Sequence, residues 1–411
     1  MKSAETVIIG AGASGLAAAV SAARAGERIL VLEKLNQPGK KLLATGNGRC
    51  NLMNRNTPVY YGDPGFAGKV LGKDPVGELT AFWKSLGLWI RYDAEGRGYP
   101  CTGMASTVME CLKGEIRRLD VPVLTGSPVR DVSPGKDGFR IRLQEGEPLE
   151  TRRVILATGG AAQPRLGGNE DAWPWLRRIG HTMVSPTPAL TPLRTDRRSV
   201  SGLAGLRVKC ELTVLTDGKP VHREKGELLF SDSGVSGICV MQCARFVLPG
   251  RSEARINLVS GLFDSSDELI RELFSRRERL AGEEPEALLR GLCAPKMAYA
   301  VCRQAGFPLQ GELIGEITER QIAALAGTLR EYRVLIEGPE GFDRSQVMAG
   351  GLACGEVDPS NMESRICPGL HVTGELLNVD GDCGGYNLMF AFLSGIRAGA
   401  NRRIERGIQG E

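Results

Sequence analysis

The sequence predicts an α/β fold in which a parallel sheet draws strands from both ends of the chain and is interrupted by an antiparallel β module and then a helical module. Three observations carry that reading. A strand, a glycine turn, a helix and a second strand occupy the opening stretch. A short strand, a Gly-Gly turn and a small-residue helix close the chain from Leu370 onward. Between them, from about Pro186 to Arg344, the pattern changes to alternating strands and then to charged helices with apolar stripes.

The opening unit runs from Val7-Ile8-Ile9 into Gly10-Ala11-Gly12-Ala13-Ser14-Gly15 and a run of small residues from Leu16 to Ala23. This is the grammar of a Rossmann-like dinucleotide-binding unit. Gly10 permits the tight turn, Gly12 lets the backbone approach a pyrophosphate, and Gly15 lets helix and strand pack closely. The helix start, at Ala13 and Ser14, offers N–H groups and the positive end of the dipole to phosphates. The second strand, Ile29 to Leu32, ends at Glu33, whose carboxylate suits the two hydroxyls of an adenosine ribose; Lys34 follows it into the site.

The next segment, Gln37 to Asn51, is rich in glycine and cations and leaves the carboxyl edge of the second strand, where ligands of open parallel sheets bind. Lys40, Lys41 and Arg49 supply positive charge, with Lys41 and Arg49 placed to balance a pyrophosphate. Thr45, Asn47 and Asn51 offer short polar contacts, and Gly46 and Cys50 lie between them. Residues 76–92 carry helical spacing and then an extended stretch, residues 96–101 read as a loop, and residues 104–119 as an amphipathic helix. Val121 to Leu124 and Pro128 to Val132 read as strands of the same layer, with Val129 at the cofactor. Phe139 to Leu143 alternates as a half-exposed hairpin strand does. Arg153 to Gly160 returns to the parallel sheet and ends in Thr158 and Gly159, small residues that let a ligand meet the backbone.

The expected division is a discontinuous domain of residues 1–185 and 345–411, a β-barrel-like module of 186–262 and a helical module of 263–344. Glu331 to Ile336 reads as a strand returning toward the first domain. In the closing stretch Leu370 to Thr373 is a strand, Gly374-Glu375 follows it, and Asp380 leads to Gly384-Gly385-Tyr386-Asn387-Leu388. That Gly-Gly turn opens a helix and makes a second anion-accepting end.

Composition excludes several classes. The net charge is +4 over 411 residues, with no block of like charge, so a nucleic acid partner is not expected. No run of about twenty apolar residues is present to span a bilayer. The 11 cysteines contain no Cys-x-x-Cys pair and the three histidines are scattered, which argues for reduced thiols in a cytoplasmic protein and against a metal site.

With Ala157-Thr158-Gly159 and Gly374-Glu375 in view, the chain resembles two-dinucleotide-type flavoproteins of the glutathione-reductase-like, three-layer kind. More narrowly it resembles the YhiN/BaiN-like family. The likeness rests on Gly39-Lys40-Lys41 with Gly48-Arg49-Cys50-Asn51, on Gly226 to Phe230 with Gly234 to Gly237, on Ala349-Gly350-Gly351, and on Met362 to Leu388. The resemblance implies non-covalent FAD lying extended from the N-terminal glycines to the C-terminal helix. It also implies reduction of the conjugated double bonds of 3-oxo-Δ4,6 bile acid intermediates, although other members resemble oxidases of small amino ketones. This sequence departs from the family at Asn47, at Ser231-Asp232, and at Met348 and Met389, where glycine, Thr-His and polar residues are usual. The Asp232 change removes an imidazole; the methionines, with Leu388, Phe390 and Phe392, suggest an apolar surround for a steroid.

Reducing an enone needs hydride delivered to the β-carbon, donors on the ketone oxygen and an acid for the α-carbon. The candidate acids are Tyr386, Tyr99 and Cys101, and Cys50 and Cys383 are expected against the flavin. Backbone N–H groups from Gly384 to Leu388 suit the flavin's pyrimidine end, and Glu375 and Asp380 its ribityl chain. No second dinucleotide fingerprint is present, so either NAD(P)H binds transiently as electron donor, which is the expectation, or the electrons come from elsewhere. An FAD oxidase of a small amine and a non-catalytic flavin-containing binding protein are the competing readings, and the oligomeric state is open.

Overall fold

The computed structural model describes residues 4–307 and 313–400, so residues 401–411 of the expected first domain and 308–312 of the expected helical module lie outside the described residues. The chain divides into two compact units. One runs to Thr187 and resumes at Gln346; the other is Pro188–Ser345.

The first unit is built on a five-stranded parallel sheet. Its order is Leu370–Val372, Arg153–Leu156, Thr6–Ile9, Ile29–Leu32, Val123–Leu124. Every residue of the two strands flanking the glycine turn is buried, as expected of a sheet covered on both faces. The helix after the turn, Ala13–Arg24, is crossed by the C-terminal helix Tyr386–Gly399 at backbone contact. A Cβ at Gly395 would fall on the carbonyl oxygen of Ser14, and one at Gly399 would fall on that of Ala18. Two glycines about one helical turn apart thus make the smooth face that lets the helices touch.

Val129–Gly135 does not join the parallel layer. It pairs antiparallel with Gly138–Leu143, which in turn pairs with Leu149–Thr151. A strand buried on both faces needs a continuous apolar run, and Val129-Arg130-Asp131-Val132 is broken by two adjacent charged residues. The stretch expected as a loop at residues 96–101 contains a strand, Arg97–Pro100, between Met53–Asn54 and Ile90–Tyr92. Gly98 serves packing there, since a Cβ would lie 2.9 Å from Met53 Cγ and 3.1 Å from Tyr92 Cε1.

Arg153 ties both segments of the first unit. Its guanidinium donates to both carboxylate oxygens of Glu27 at 2.8 Å, to His371 Nε2 at 3.0 Å, and to the Ala398 carbonyl. His371 therefore carries its proton on Nδ1, which donates to the Asn361 carbonyl at 2.9 Å. Burial, aided by the Arg153 charge, depresses the His371 pKa from 6.5 to about 3. The unfolded chain then binds a proton that the folded chain refuses, so stability is lost as pH falls from about 6.5 toward 3, by up to about 1.4 kcal/mol per pH unit. Urea midpoints at pH 7 and 4.5 should fall less for His371→Gln than for the parent; equal slopes would refute the assignment.

The second unit is a closed barrel with the strand order Leu193–Thr195, Gly234–Ser236, Lys219–Ser231, Arg207–Thr216, Ser252–Asn257, Tyr332–Pro339. The last of these, read from sequence as returning to the first domain, instead closes the barrel against Ser252–Asn257 and Leu193–Thr195. Tyr332, Val334 and Ile336 point inward and alternate with exposed residues, the pattern of a barrel wall. The β and helical modules expected to be separate share one core, in which Leu212, Phe230 and Val334 join Leu269, Val301 and Leu325. The helices Ser266–Arg279, Pro295–Ala305 and Glu319–Arg330 supply the latter three.

Candidate cofactor and active site

The three fingerprint glycines do different work. Gly10 has φ +104, its N–H donates to the Leu32 carbonyl at 2.8 Å, and a Cβ there would fall on the Ala157 carbonyl. A Cβ at Gly15 would fall on the Gly10 carbonyl. These two are packing glycines. Gly12 caps the helix that begins with Ala13 and Ser14, and a Cβ there would meet nothing within 4 Å. Its missing side chain leaves open space at the helix N-terminus, which fits a pyrophosphate. Gly159, φ +74, faces similar space, and the buried Thr158 Oγ1 has no hydrogen-bond partner among the described residues.

Glu33 is buried and already engaged. Its Oε2 accepts the Ala11 N–H at 2.8 Å and its Oε1 the Leu35 N–H at 2.9 Å. The residue thus fixes the glycine turn, and each oxygen keeps a second lone pair that fits a ribose hydroxyl. Lys34 Nζ lies 3.5 Å from Asp171 Oδ2. Val129 starts the antiparallel sheet, and Ser127 N–H, just before it, donates to the Glu33 carbonyl at 2.9 Å.

Residues Lys40–Gly48 begin as a helix that breaks at Thr45, Gly46 and Asn47. Lys40 is exposed. Lys41 Nζ is 2.6 Å from Glu375 Oε2, while Glu375 Oε1 accepts the Met348 N–H at 2.8 Å. Sequence reasoning gave Lys41 to the pyrophosphate and Glu375 to the ribityl chain; the structure pairs them with each other. Thr45 Oγ1 donates to the Leu42 carbonyl at 2.7 Å. Gly46, Asn47, Gly48 and Cys50 all have positive φ, and between the last two Arg49 lies with Cζ 4.2 Å from the centroid of the Tyr99 ring.

At the other end, Gly384 (φ +129) and Gly385 (φ +106) precede the C-terminal helix. A Cβ at Gly385 would lie 2.5 Å from both Asn51 Oδ1 and the Met53 carbonyl, so this turn is pressed against the segment that follows Arg49. Asn54 Nδ2 donates to the Gly384 carbonyl at 3.0 Å. Asn51 Oδ1 is buried without a hydrogen-bond partner among the described residues. The Asn387 amide clamps Gly381, accepting its N–H at 2.8 Å and donating to its carbonyl at 2.7 Å. Asp380 is buried in the strand Val379–Gly381. Gly374 (φ +65) donates its N–H to Ser394 Oγ at 3.0 Å and backs onto Ser14, whose Oγ would lie 2.8 Å from a Cβ at that position.

Of the three candidate acids, Tyr386 and Tyr99 are buried and Cys101 is exposed. Burial raises both phenols above their usual range; Asp382 adds to the effect at Tyr386, and Arg97 and Arg49 oppose it at Tyr99. Tyr60, which sequence reasoning missed, donates its hydroxyl to the Tyr386 carbonyl at 2.8 Å and fixes the start of the helix. Cys50 is fully buried, and burial pushes its thiol up to about 12. Burial likewise raises Cys383. Leu388 is half-buried. Met389, Phe390 and Phe392, expected around the cofactor, are core residues instead; Phe392 meets Trp83 edge-on at 4.9 Å and Phe390 packs on Tyr60 at 6.1 Å. Met348 does reach the site region, with its Cε 2.8 Å from a Cβ position at Gly160.

No group of three or more His, Cys, Asp or Glu among the described residues is arranged to hold a metal ion, and no described helix is long and apolar enough to cross a membrane. Residues 4–401 match the family model described as the HI0933-like protein Rossmann domain. The chain is 36% identical over 409 residues to the 3-dehydro-bile acid delta(4,6)-reductase of Clostridium scindens, covering 95% of this chain and 97% of that one. It is 28% identical to the ribosomal RNA dihydrouridine synthase of Escherichia coli and 26% to that of Haemophilus influenzae, each match covering 95% of this chain and 96% of the relative.

Proposed function

The chain belongs to the HI0933-like Rossmann-domain family, and we propose that it is an FAD-dependent reductase of carbon–carbon double bonds conjugated to a carbonyl, acting on a 3-oxo-Δ4 or Δ4,6 steroid acid with NAD(P)H as donor. The observation that carries this is the pair of names among its full-length relatives. A 3-oxo steroid diene and a uracil ring look unlike, but both present a double bond beside a carbonyl, and both named products require its reduction. The relative at 36% identity favours the steroid. The proposed enzyme is cytoplasmic.

FAD, when bound, supplies the hydride chemistry. The helix start at Gly12 to Ser14 holds the pyrophosphate, the spare lone pairs of Glu33 the ribose, and the turn at Gly384 to Tyr386 with the unpartnered Asn51 Oδ1 the ring end. The Lys41–Glu375 pair keeps the space between them near neutral. Tyr386, held protonated by its surroundings, is the acid for the α-carbon; Tyr386→Phe should slow oxidation of the reduced flavin by enone about 10²-fold. Equal slowing of flavin reduction by NAD(P)H would show a positioning role instead.

Gly12→Val tests the cofactor site. The variant should be colourless while its melting temperature without added FAD matches that of the parent stripped of FAD, because the added side chain meets only open space. A yellow Gly12→Val would refute the placement. A second substrate, uracil in RNA, is favoured by three cation–aromatic pairs in one part of the first unit: Arg49 on Tyr99, Arg55 on Tyr92 and Lys84 on Trp89. Anaerobic enzyme reduced with NADH or NADPH and offered a 3-oxo-Δ4,6 steroid acid, unmodified ribosomal RNA or oxygen decides among steroid reductase, RNA reductase and oxidase by which one restores the yellow colour.

A further inference from the structure

We propose that Arg49 binds and polarises the substrate's carbonyl oxygen, with Tyr99 as the platform that holds it, an assignment that rests on the reductase reading above. Sequence reasoning placed Arg49 on the cofactor's pyrophosphate, beside Lys41. The structure separates the two cations by their partners. Lys41 is neutralised by Glu375 at 2.6 Å, and Arg97, at the neighbouring strand, by Asp93 at 2.7 Å. Arg49 forms no ion pair with any carboxylate among the described residues; its guanidinium instead stacks on Tyr99, Cζ 4.2 Å from the ring centroid.

The backbone that carries Arg49 is unusual. In the five residues from Gly46 to Cys50 only Arg49 itself has negative φ, and Asn47 (φ +55) and Cys50 (φ +58) hold a left-handed conformation that side chains disfavour. Strain of this kind survives only where the surroundings over-determine it. Here Cys50 is fully buried and its N–H donates to the Thr45 carbonyl at 3.0 Å. Tyr99 in turn is fixed, 9% exposed, in the central strand of its small sheet. Arg49 is itself exposed, so its guanidinium, held over a fixed ring, can present N–H donors to a ligand that arrives from solvent. The pair stands beside the C-terminal helix start: Asn51, two residues on, abuts Gly385, and Arg97, two residues before Tyr99 on the same strand, has its Cγ 3.8 Å from a Cβ position at Gly384.

The chemistry asks for this group. Hydride addition at the β-carbon moves the double-bond electrons onto the carbonyl oxygen, giving an enolate. A fixed N–H donor stabilises that oxygen where charge develops. Arginine holds its own proton throughout, so the proton that the α-carbon takes as the enolate collapses must come from a different group, here assigned to Tyr386. The β-carbon gains hydride, the α-carbon gains a proton, and the carbonyl is restored.

The test uses full-length, FAD-loaded parent, Arg49→Gln and Arg49→Lys, photoreduced without oxygen. Flavin content should be equal in all three. A saturated 3-oxo steroid acid, which cannot be reduced, should bind the oxidised Gln variant about tenfold more weakly, read from the change in flavin absorbance. Reoxidation of reduced flavin by the conjugated 3-oxo acid should slow about 10²- to 10³-fold in Arg49→Gln, with partial recovery in Arg49→Lys. Loss of flavin from Arg49→Gln would assign the cation to the cofactor and overturn the proposal, as would unchanged binding and reoxidation. A parent enzyme that no conjugated ketone reoxidises would sink the reductase reading and this assignment with it, a result distinct from a working parent matched by its Gln variant.

Discussion

Gly395→Leu should leave the first unit unfolded, recovered as insoluble protein, and Gly395→Ala should lower its unfolding free energy by about 3 kcal/mol in urea titration. The reason is the contact between the fingerprint helix and the C-terminal helix. The new methyl group would fall on the Ser14 carbonyl oxygen and within 3.0 Å of Ser14 Cα, which are backbone atoms and cannot rotate away. Relief requires sliding one helix along the other, and the same slide would drive Gly399 against Ala18 or part the two helices. Gly114→Ala is the control. It too lies inside a helix, Ala105–Arg118, but a Cβ there meets nothing within 4 Å, so the change should stabilise by about 0.5–1 kcal/mol through helix propensity. If both alanine variants behave alike, the contact between the two helices is not what these glycines serve.

Arg153→Met should cost about 3–5 kcal/mol, because it removes one partner from a part-buried cluster and leaves the others behind. Among the described residues Glu27 would keep only Thr6 Oγ1, at 2.6 Å, as a side-chain donor, His371 Nε2 would lose its donor, and the Ala398 carbonyl would lose its guanidinium. The exposure of the pair, 12% for Arg153 and 22% for Glu27, places it well away from the surface ion pairs that contribute little. A second signature separates this from simple packing loss. The Arg153 charge helps to hold His371 neutral, so its removal should raise the histidine's pKa and shrink the acid-side loss of stability, which would still begin near the ordinary histidine pKa but end at higher pH. A loss below 1 kcal/mol with an unchanged acid profile would show the cluster to be incidental.

What could be read in the sequence was what is local. The glycine turn, its helix and Glu33 lie within one short unit and each carries its own spacing. The C-terminal strand, the Gly-Gly turn and the helix repeat that grammar. What could not be read was partnership across long separations. Nothing near Lys41 announces Glu375, and nothing in the 46–50 run announces Tyr99. Glu33 could be singled out at the end of its strand, but not its task of bonding the Ala11 and Leu35 amides. The apolar pattern of Tyr332 to Ile336 marked a strand correctly, yet a strand alternating in this way fits any half-covered sheet. Only pairing with Leu193–Thr195, far earlier in the chain, makes it a barrel stave. Phe390 and Phe392 show the opposite error, in which apolar character near a glycine turn suggested a ligand surround where the residues are core.

The chain leaves the first unit along Met183–Ala189 and re-enters it along Val347–Leu352, and these two strands pair with each other; within the second unit Leu193 and Pro339 are register partners. For the folding polymer the inserted unit is a long loop whose ends must be brought together before the outer strand Leu370–Val372 can find Arg153–Leu156. An unfolded loop of that length sets a search cost that grows with the logarithm of its length. Once the barrel has closed, the same residues act as a short staple and the search is over. The barrel is therefore placed to form first, and slowing its closure should delay assembly of a sheet to which it contributes no strand.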